Sequence, residues 1–256
     1  EQCQRVSDVV RTTINTGFFP IVLSGDHSSA LGTISGIKAA NPEKRLGVIW
    51  IDAHADLHSP FTSPSGNIHG MPLAAAMHLD NLDCSVNQVS KETVESWQEL
   101  KNIGVLGPKM APEHVVYFGL RDFEYAEEFL LNQFEIMHFK VEQMRNLGIQ
   151  ACVQNAIIQL ASTDIIFISF DVDSMDAGIS KGTGTPVPNG ITEKEAGNLV
   201  ARLMESPKVC CFEIVEINPT LDKENLMAEN AFEILVRATN QLINECQLNE
   251  KGVYFI

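Results

Sequence analysis

The stretch "VIWIDAHADLHSP", residues 48–60, begins as an apolar run and ends crowded with ionisable side chains: Asp52, His54, Asp56 and His58. In an extended chain residues i, i+2 and i+4 share a side, so Asp52, His54 and Asp56 are expected to converge as the strand runs out. The pattern recurs in "FISFDVDSMD", where Asp171 and Asp173 leave another apolar run. A third run, "IVLSGDHSS", ends in Asp26 and His27, and a fourth, "CCFEIVEINP", carries Glu213 and Glu216. Any one of these would pass for a turn or a helix cap, and Asp26 or Ser28 fits a cap. Together they bring carboxylates and imidazoles to one edge of a sheet. Four clustered carboxylates repel one another in a partly desolvated cleft, and two divalent cations would cancel that charge. A mixed oxygen and imidazole donor set suits a hard or borderline ion such as Mn²⁺. Zinc sites take fewer ligands and often Cys, and no Cys lies in these motifs. Two ions ~3.5–4 Å apart activate a shared water, so the chemistry expected is metal-assisted hydrolysis.

The elements that must position these groups alternate. Strands are predicted at Ile21–Leu23, Gly47–Asp52, His114–Gly119, Glu135–Phe139, Asp164–Asp171 and Val209–Ile217. Most are continuously apolar, as when both faces of a parallel sheet are covered. Helices are predicted at Gln4–Thr16, Ser28–Ala40, Met71–His78, Tyr125–Asn132, Ala151–Ser162, Glu193–Glu205 and Asn225–Asn244. This order predicts an α/β fold, a three-layer αβα sandwich with a mainly parallel central sheet and right-handed crossovers. Metal-bearing strand ends then lie at the carboxyl edge, where open α/β sheets bind ligands. Residues 80–112 read as an irregular surface excursion with Trp97 as its anchor. Ser174–Ile191, rich in Gly and Pro, reads as a long ordered loop. Trp50 reads as core, and His78, His114 and His138 as structural or solvated.

Length and composition fit one α/β domain over residues 1–256, with 45% apolar residues. The formal charge of −15 argues against nucleic acid or an anionic membrane as the main partner. No apolar run reaches the ~18 residues of a membrane span. The six cysteines show no CxxC and no regular framework, which points to a reducing, cytoplasmic setting. The chain begins at Glu1, so an organellar targeting segment is not excluded.

The motifs "SGDHS", "DAHADLHSP", "SGNIHGMPLA", "SFDVDSMD", "GTGTPV" and "EINP" occur in the order and approximate spacing of the arginase branch of the ureohydrolases. The chain resembles that family from about Gly17 to Asn244. The resemblance implies a binuclear Mn²⁺ hydrolase that splits a guanidinium group, with two ions per chain. By motif match one ion is bound by His27, Asp52, Asp56 and Asp171, and the other by Asp52, His54, Asp171 and Asp173. Asp52 and Asp171 then bridge. It further implies attack of a metal-bridging hydroxide on the guanidinium carbon. Asp56 orients the hydroxide and passes a proton to the leaving amine, His69 relays protons, and Glu216 holds the planar cation. Thr185 lines the cleft or shapes a turn. Ser65 and Asn67 match carboxylate-binding positions of arginases, and Ser63 lies in the same loop. His58 stands where arginases usually carry Asn. Glu124 stands where they carry an Asp that meets the α-amino group, and Glu127 matches a second acidic residue nearby. Family members usually carry a further N-terminal strand, which this sequence lacks, and many form trimers or hexamers.

These features favour L-arginine as the substrate, cleaved to L-ornithine and urea. The alternatives are another ureohydrolase (agmatinase, guanidinobutyrase or formiminoglutamase) or a catalytically silent relative acting as a binding protein. A single-zinc amidohydrolase shares the architecture, but the paired Asp motifs fit two ions better.

Overall fold

The computed structural model describes residues 1–179 and 181–248. In chain order the elements are α1 (Gln2–Asn15), β1 (Ile21–Leu23), α2 (Ser29–Ala40), β2 (Leu46–Ile51), α3 (Pro72–Met77), α4 (Lys91–Lys101), β3 (Val115–Phe118), α5 (Tyr125–Gln133), β4 (Met137–Phe139), α6 (Val141–Leu147), α7 (Ile149–Gln159), β5 (Ile165–Asp171), α8 (Glu193–Leu203), β6 (Val209–Val215) and α9 (Leu226–Leu248). The strands form a six-stranded sheet in the order β1-β6-β5-β2-β3-β4. Every neighbouring pair is parallel. Among the described residues no helix is long and apolar enough to cross a membrane.

Strand residues alternate between two cores. Leu46, Val48, Trp50, Phe167 and Tyr117 face α1–α5, and Ile49, Ile51, Ile168, Phe170 and Phe118 face α6–α9. Both faces are therefore covered, which is why the strands read as unbroken apolar runs. The order reverses around β2 and β5, and the segments that follow β1, β2, β5 and β6 open onto the same carboxyl edge. That edge is the place for a ligand in an open parallel sheet.

α2 follows directly on His27 and is fixed by unusually close packing on α1. A Cβ at Gly32 would lie 2.5 Å from the Cys3 carbonyl oxygen and 2.8 Å from Val6 Cβ. A Cβ at Gly36 would lie 2.5 Å from the Ser7 carbonyl oxygen. Two glycines one turn apart thus let the helix backbones touch.

The structure departs from the sequence reading in three places. First, residues 80–112 contain α4, capped by Ser90 Oγ accepting from Thr93 N–H. Trp97 anchors that segment by burial, being 3% exposed. Its Nε1 donates to Asp80 Oδ1 at 2.7 Å, and the Lys101 ammonium lies 5.7 Å from the ring centroid. One buried aromatic per three turns gives too faint a period to show against a polar helix face. Second, α6 precedes α7 as a separate short helix, divided from it by Gly148 at φ 84°. Third, β6 stops at Val215 and not at residue 217, because Glu216 turns into the left-handed region at φ 68°.

Replacing Gly32 by Val drives side-chain atoms into the α1 backbone. Overpacking costs about 1–3 kcal/mol, and each kcal/mol moves the midpoint of a domain of this size by roughly 2–4 °C. Thermal unfolding followed by circular dichroism should therefore show a midpoint several degrees lower; an unchanged midpoint would remove the contact argument.

Candidate metal centre

Asp52 follows directly on β2 and is fully buried. Its two oxygens face different imidazoles: Oδ2 lies 3.1 Å from His27 Nδ1, and Oδ1 lies 3.4 Å from His54 Nδ1. His27 Nδ1 is also 3.2 Å from Asp56 Oδ2 and 3.1 Å from Asp171 Oδ2. His54 Nδ1 is 3.1 Å from Asp173 Oδ2. The residues singled out in the sequence thus gather into two adjoining clusters that share Asp52. Asp171 sits on the His27 side.

The local backbone that achieves this is not an extended strand. The chain bends at once after Ile51, with Asp52 Oδ1 accepting the His54 N–H at 2.7 Å. The Asp171 carboxylate repeats the device, its Oδ1 accepting the Asp173 N–H at 2.7 Å. Asp56 adopts φ 53°, a left-handed conformation uncommon for a non-glycine residue. Convergence comes from Asp-centred turns, which Asp side chains form readily, and not from the i, i+2, i+4 alternation expected.

His27 is held from behind. Its ring stacks on Trp50 with centroids 4.1 Å apart and planes 4° apart. Its Nε2 lies 2.9 Å from Ser169 Oγ, and Ser169 Oγ donates to Glu213 Oε2 at 3.2 Å. Thr33 donates to the other Glu213 oxygen at 2.8 Å. Ser169 pairs in register with both Trp50 and Glu213, so this polar row crosses the sheet directly under the site. The carboxylate accepts, so the row assigns a proton to Nε2 and turns Nδ1 toward the three carboxylates.

His27 Nδ1 and Asp52 Oδ2 are buried and make no directed hydrogen bond. Nδ1 sits nearly equidistant from three oxygens and points squarely at none. Donors arranged around a common point are what a cation requires, and the oxygen and imidazole set fits a borderline divalent ion. The charges agree. Burial, then Asp52, push the Asp56 carboxyl up to about 6. Burial, then Asp173 and Asp52, lift Asp171 well above the ordinary carboxylate range, and burial and Asp52 lift Asp173. For Asp52 burial opposes the charge, but His27 and His54 prevail and hold it low. Burial favours a neutral His54, yet Asp173 and Asp52 outweigh it and push the ring up to about 12. Protons shared among these groups stand in for positive charge that divalent ions would supply.

The cleft above is lined by Asp56, His58, Ser63, Ser65, Asn67, His69, Glu124, Glu127, Thr185 and Glu216, together with Asp122. Glu216 Oε1 accepts the His27 N–H at 2.8 Å and lies 3.8 Å from His69 Nδ1. Thr185 Oγ1 donates to Asp173 Oδ2 at 3.0 Å. Ser63 and Ser65 each accept a backbone N–H, from Gly66 and Asn67. Glu127 is 3% exposed, and its oxygens accept the Leu57 and Glu124 N–H groups. Two supporting residues escaped the sequence reading. Ser169 is a polar residue inside an apolar strand, a signal that was present. Arg121 gives its N–H groups to the carbonyls of Asp173 (2.8 Å), Val187 (2.9 Å) and Pro188 (3.0 Å), stapling the Asp173 turn to the Thr185 segment. Backbone acceptors leave no trace in a sequence.

The arginase family model matches residues 1–240. The chain belongs to the arginase family. It is 38% identical over 236 residues to the arginase of Brevibacillus brevis, covering 92% of this chain and 73% of that protein. The crystal structure of arginase from Bacillus cereus superposes with a TM-score of 0.80 at 34% identity, covering 92% of this chain and 76% of that one. Formimidoylglutamase from Bacillus subtilis shares the fold, with a TM-score of 0.76 at 21% identity over 94% of this chain and 66% of that one. The arginase-family chain is accordingly a hydrolase by family, and its candidate metal cluster lies at the carboxyl edge where the sheet order reverses.

Changing Ser169 to Ala strips the buried His27 Nε2 and Glu213 of a shared partner. A buried polar group left unpaired costs about 1–3 kcal/mol. A denaturant titration should show a correspondingly lower midpoint with unchanged slope; an identical midpoint would mean the row contributes nothing.

Proposed function

We propose that this arginase-family chain is a binuclear manganese hydrolase that cleaves L-arginine to L-ornithine and urea. The observation that carries the reading is Asp52, a buried carboxylate whose two oxygens each address a different histidine cluster. His27, Asp52, Asp56 and Asp171 would hold one ion, and Asp52, His54, Asp171 and Asp173 the other, with Asp52 and Asp171 shared. When bound, the ions supply Lewis-acid activation of a water at neutral pH.

The remaining steps belong to the chain. Glu216 hangs at the cleft with Oε1 fixed by the His27 N–H, so its carboxylate is oriented to accept from a planar guanidinium. Asp56 faces both His27 and the cleft, placed to orient the attacking water and hand a proton to the departing amine. His69, drawn upward by its contact with Glu216, is exposed enough to exchange protons with solvent. Thr185 steadies Asp173. Ser65 and Asn67 at the mouth offer neutral donors to a carboxylate.

The deciding experiment is urea release by manganese-loaded protein from L-arginine. Release from agmatine or 4-guanidinobutyrate in its place would assign another ureohydrolase activity. No release from any guanidino compound, with metal bound, would leave a silent binding relative.

Asp171→Asn should keep the fold and lose manganese, with activity falling beyond the ~10–100-fold typical of outer-shell changes. Elemental analysis checks it, and full metal content would count against Asp171 as a shared ligand. Metal binding must also displace protons from the raised carboxyls. Asp56 is neutral below about 6 and charged above it. Manganese retention in equilibrium dialysis should therefore weaken as pH falls and protons reclaim the ligands. Retention independent of pH would contradict the assignment.

A further inference from the structure

His58 and Glu124 touch each other at the outer end of the cleft. His58 Nε2 lies 2.7 Å from Glu124 Oε2. On the other side of the ring, Nδ1 lies 3.1 Å from Thr62 Oγ1. Thr62 Oγ1 in turn accepts the Ser59 N–H at 3.0 Å, and its own hydrogen has the ring at 3.1 Å as a nearer acceptor than the Ser59 carbonyl at 3.5 Å. The network is complete with Nε2–H donating to the Glu124 carboxylate and Nδ1 accepting from Thr62. Both ring nitrogens are spent inside the protein, and the residue is 7% exposed. His58 therefore has no donor left for a substrate.

Glu124 is placed differently. Its side chain is 59% exposed and lines the cleft, with one oxygen anchored by His58. Its backbone N–H is anchored too, by Glu127 Oε2 at 3.0 Å. The surroundings are one-sided. Among the described residues the lining includes Asp56, Asp122, Glu124, Asp171, Asp173 and Glu216 but neither Lys nor Arg. A carboxylate on the substrate's outer end would meet the neutral groups of Ser63, Ser65 and Asn67. An ammonium there would meet a fixed carboxylate.

Resting on the guanidino-hydrolase reading above, we propose that His58 is a positioning residue for Glu124, and that the cleft consequently selects substrates by a distal cationic amine far more than by a distal carboxylate. The best substrates are then doubly cationic guanidino amines, with or without an α-carboxylate.

The test compares manganese-loaded protein on L-arginine, on agmatine (which lacks the carboxylate) and on 5-guanidinopentanoate (which lacks the amine). Loss of the amine should lower kcat/KM about ten- to a hundredfold, the range for a charge-assisted hydrogen bond. Loss of the carboxylate should cost several times less. Glu124→Gln should bring L-arginine and 5-guanidinopentanoate close together. His58→Ala should raise KM for the amine-bearing substrates more than it lowers kcat, and His58→Gln, whose amide can still donate to Glu124, should restore much of the loss. Calorimetric affinities for L-ornithine, putrescine and 5-aminopentanoate give the same ranking without turnover. A silent protein that still binds L-ornithine and putrescine over 5-aminopentanoate would defeat the hydrolase reading and keep the selectivity. Equal losses for amine and carboxylate, or a Glu124→Gln variant with unchanged ratios, would overturn the proposal.

Discussion

Four carboxylates, those of Asp52, Asp56, Asp171 and Asp173, lie buried within reach of two imidazoles, and among the described residues no ammonium or guanidinium lines the cleft to offset them. That crowding is the constraint on which the rest of the molecule turns. Isolated charges of this kind are strongly disfavoured away from water, so the fold must both force them together and leave room for compensation. It forces them with Asx turns that begin where β2 and β5 run out, where neighbouring parallel strands fix the spacing. It steadies them with a ring stacked on Trp50, the row through Ser169 and Glu213, and the Arg121 guanidinium bound to carbonyls.

The wider architecture can be understood as support for that edge. The parallel sheet is covered on both faces, so its strands are rigid and their carboxyl ends stay in register. α2 carries His27 on its threshold, and α2 can only lie where it does because Gly32 and Gly36 admit the backbone of α1. Changes in that remote helix contact therefore reach the imidazole through a stiff rod. α5 plays a parallel role on the other side: Glu127 accepts the Leu57 N–H beside Asp56.

Much of this was legible in the chain. The apolar runs located each strand of the sheet, and the strand-end Asp and His named the cluster before any geometry was known. What was hidden has physical reasons. α4 shows the sequence few buried positions, so its period is drowned by a polar face. The turn at Asp56 is invisible because Asp, though left-handed more often than most residues, takes that conformation only where its surroundings impose it. His58 reads in the sequence only as standing where arginases usually carry Asn. Only the placement of Thr62 and Glu124 on either side of the ring shows that both its nitrogens are occupied.

Asp56 and Glu216 both hold positive φ angles, 53° and 68°. Such a conformation costs a non-glycine residue about 1–3 kcal/mol, and glycine would adopt it freely. A directed-evolution screen that rewards heat resistance alone would thus be drawn toward glycine at these two positions. Its winners would be sturdier proteins stripped of two of the groups on which the proposed chemistry relies. Robustness and chemistry compete at individual backbone angles in this fold, and any campaign to harden the protein should hold those two codons constant.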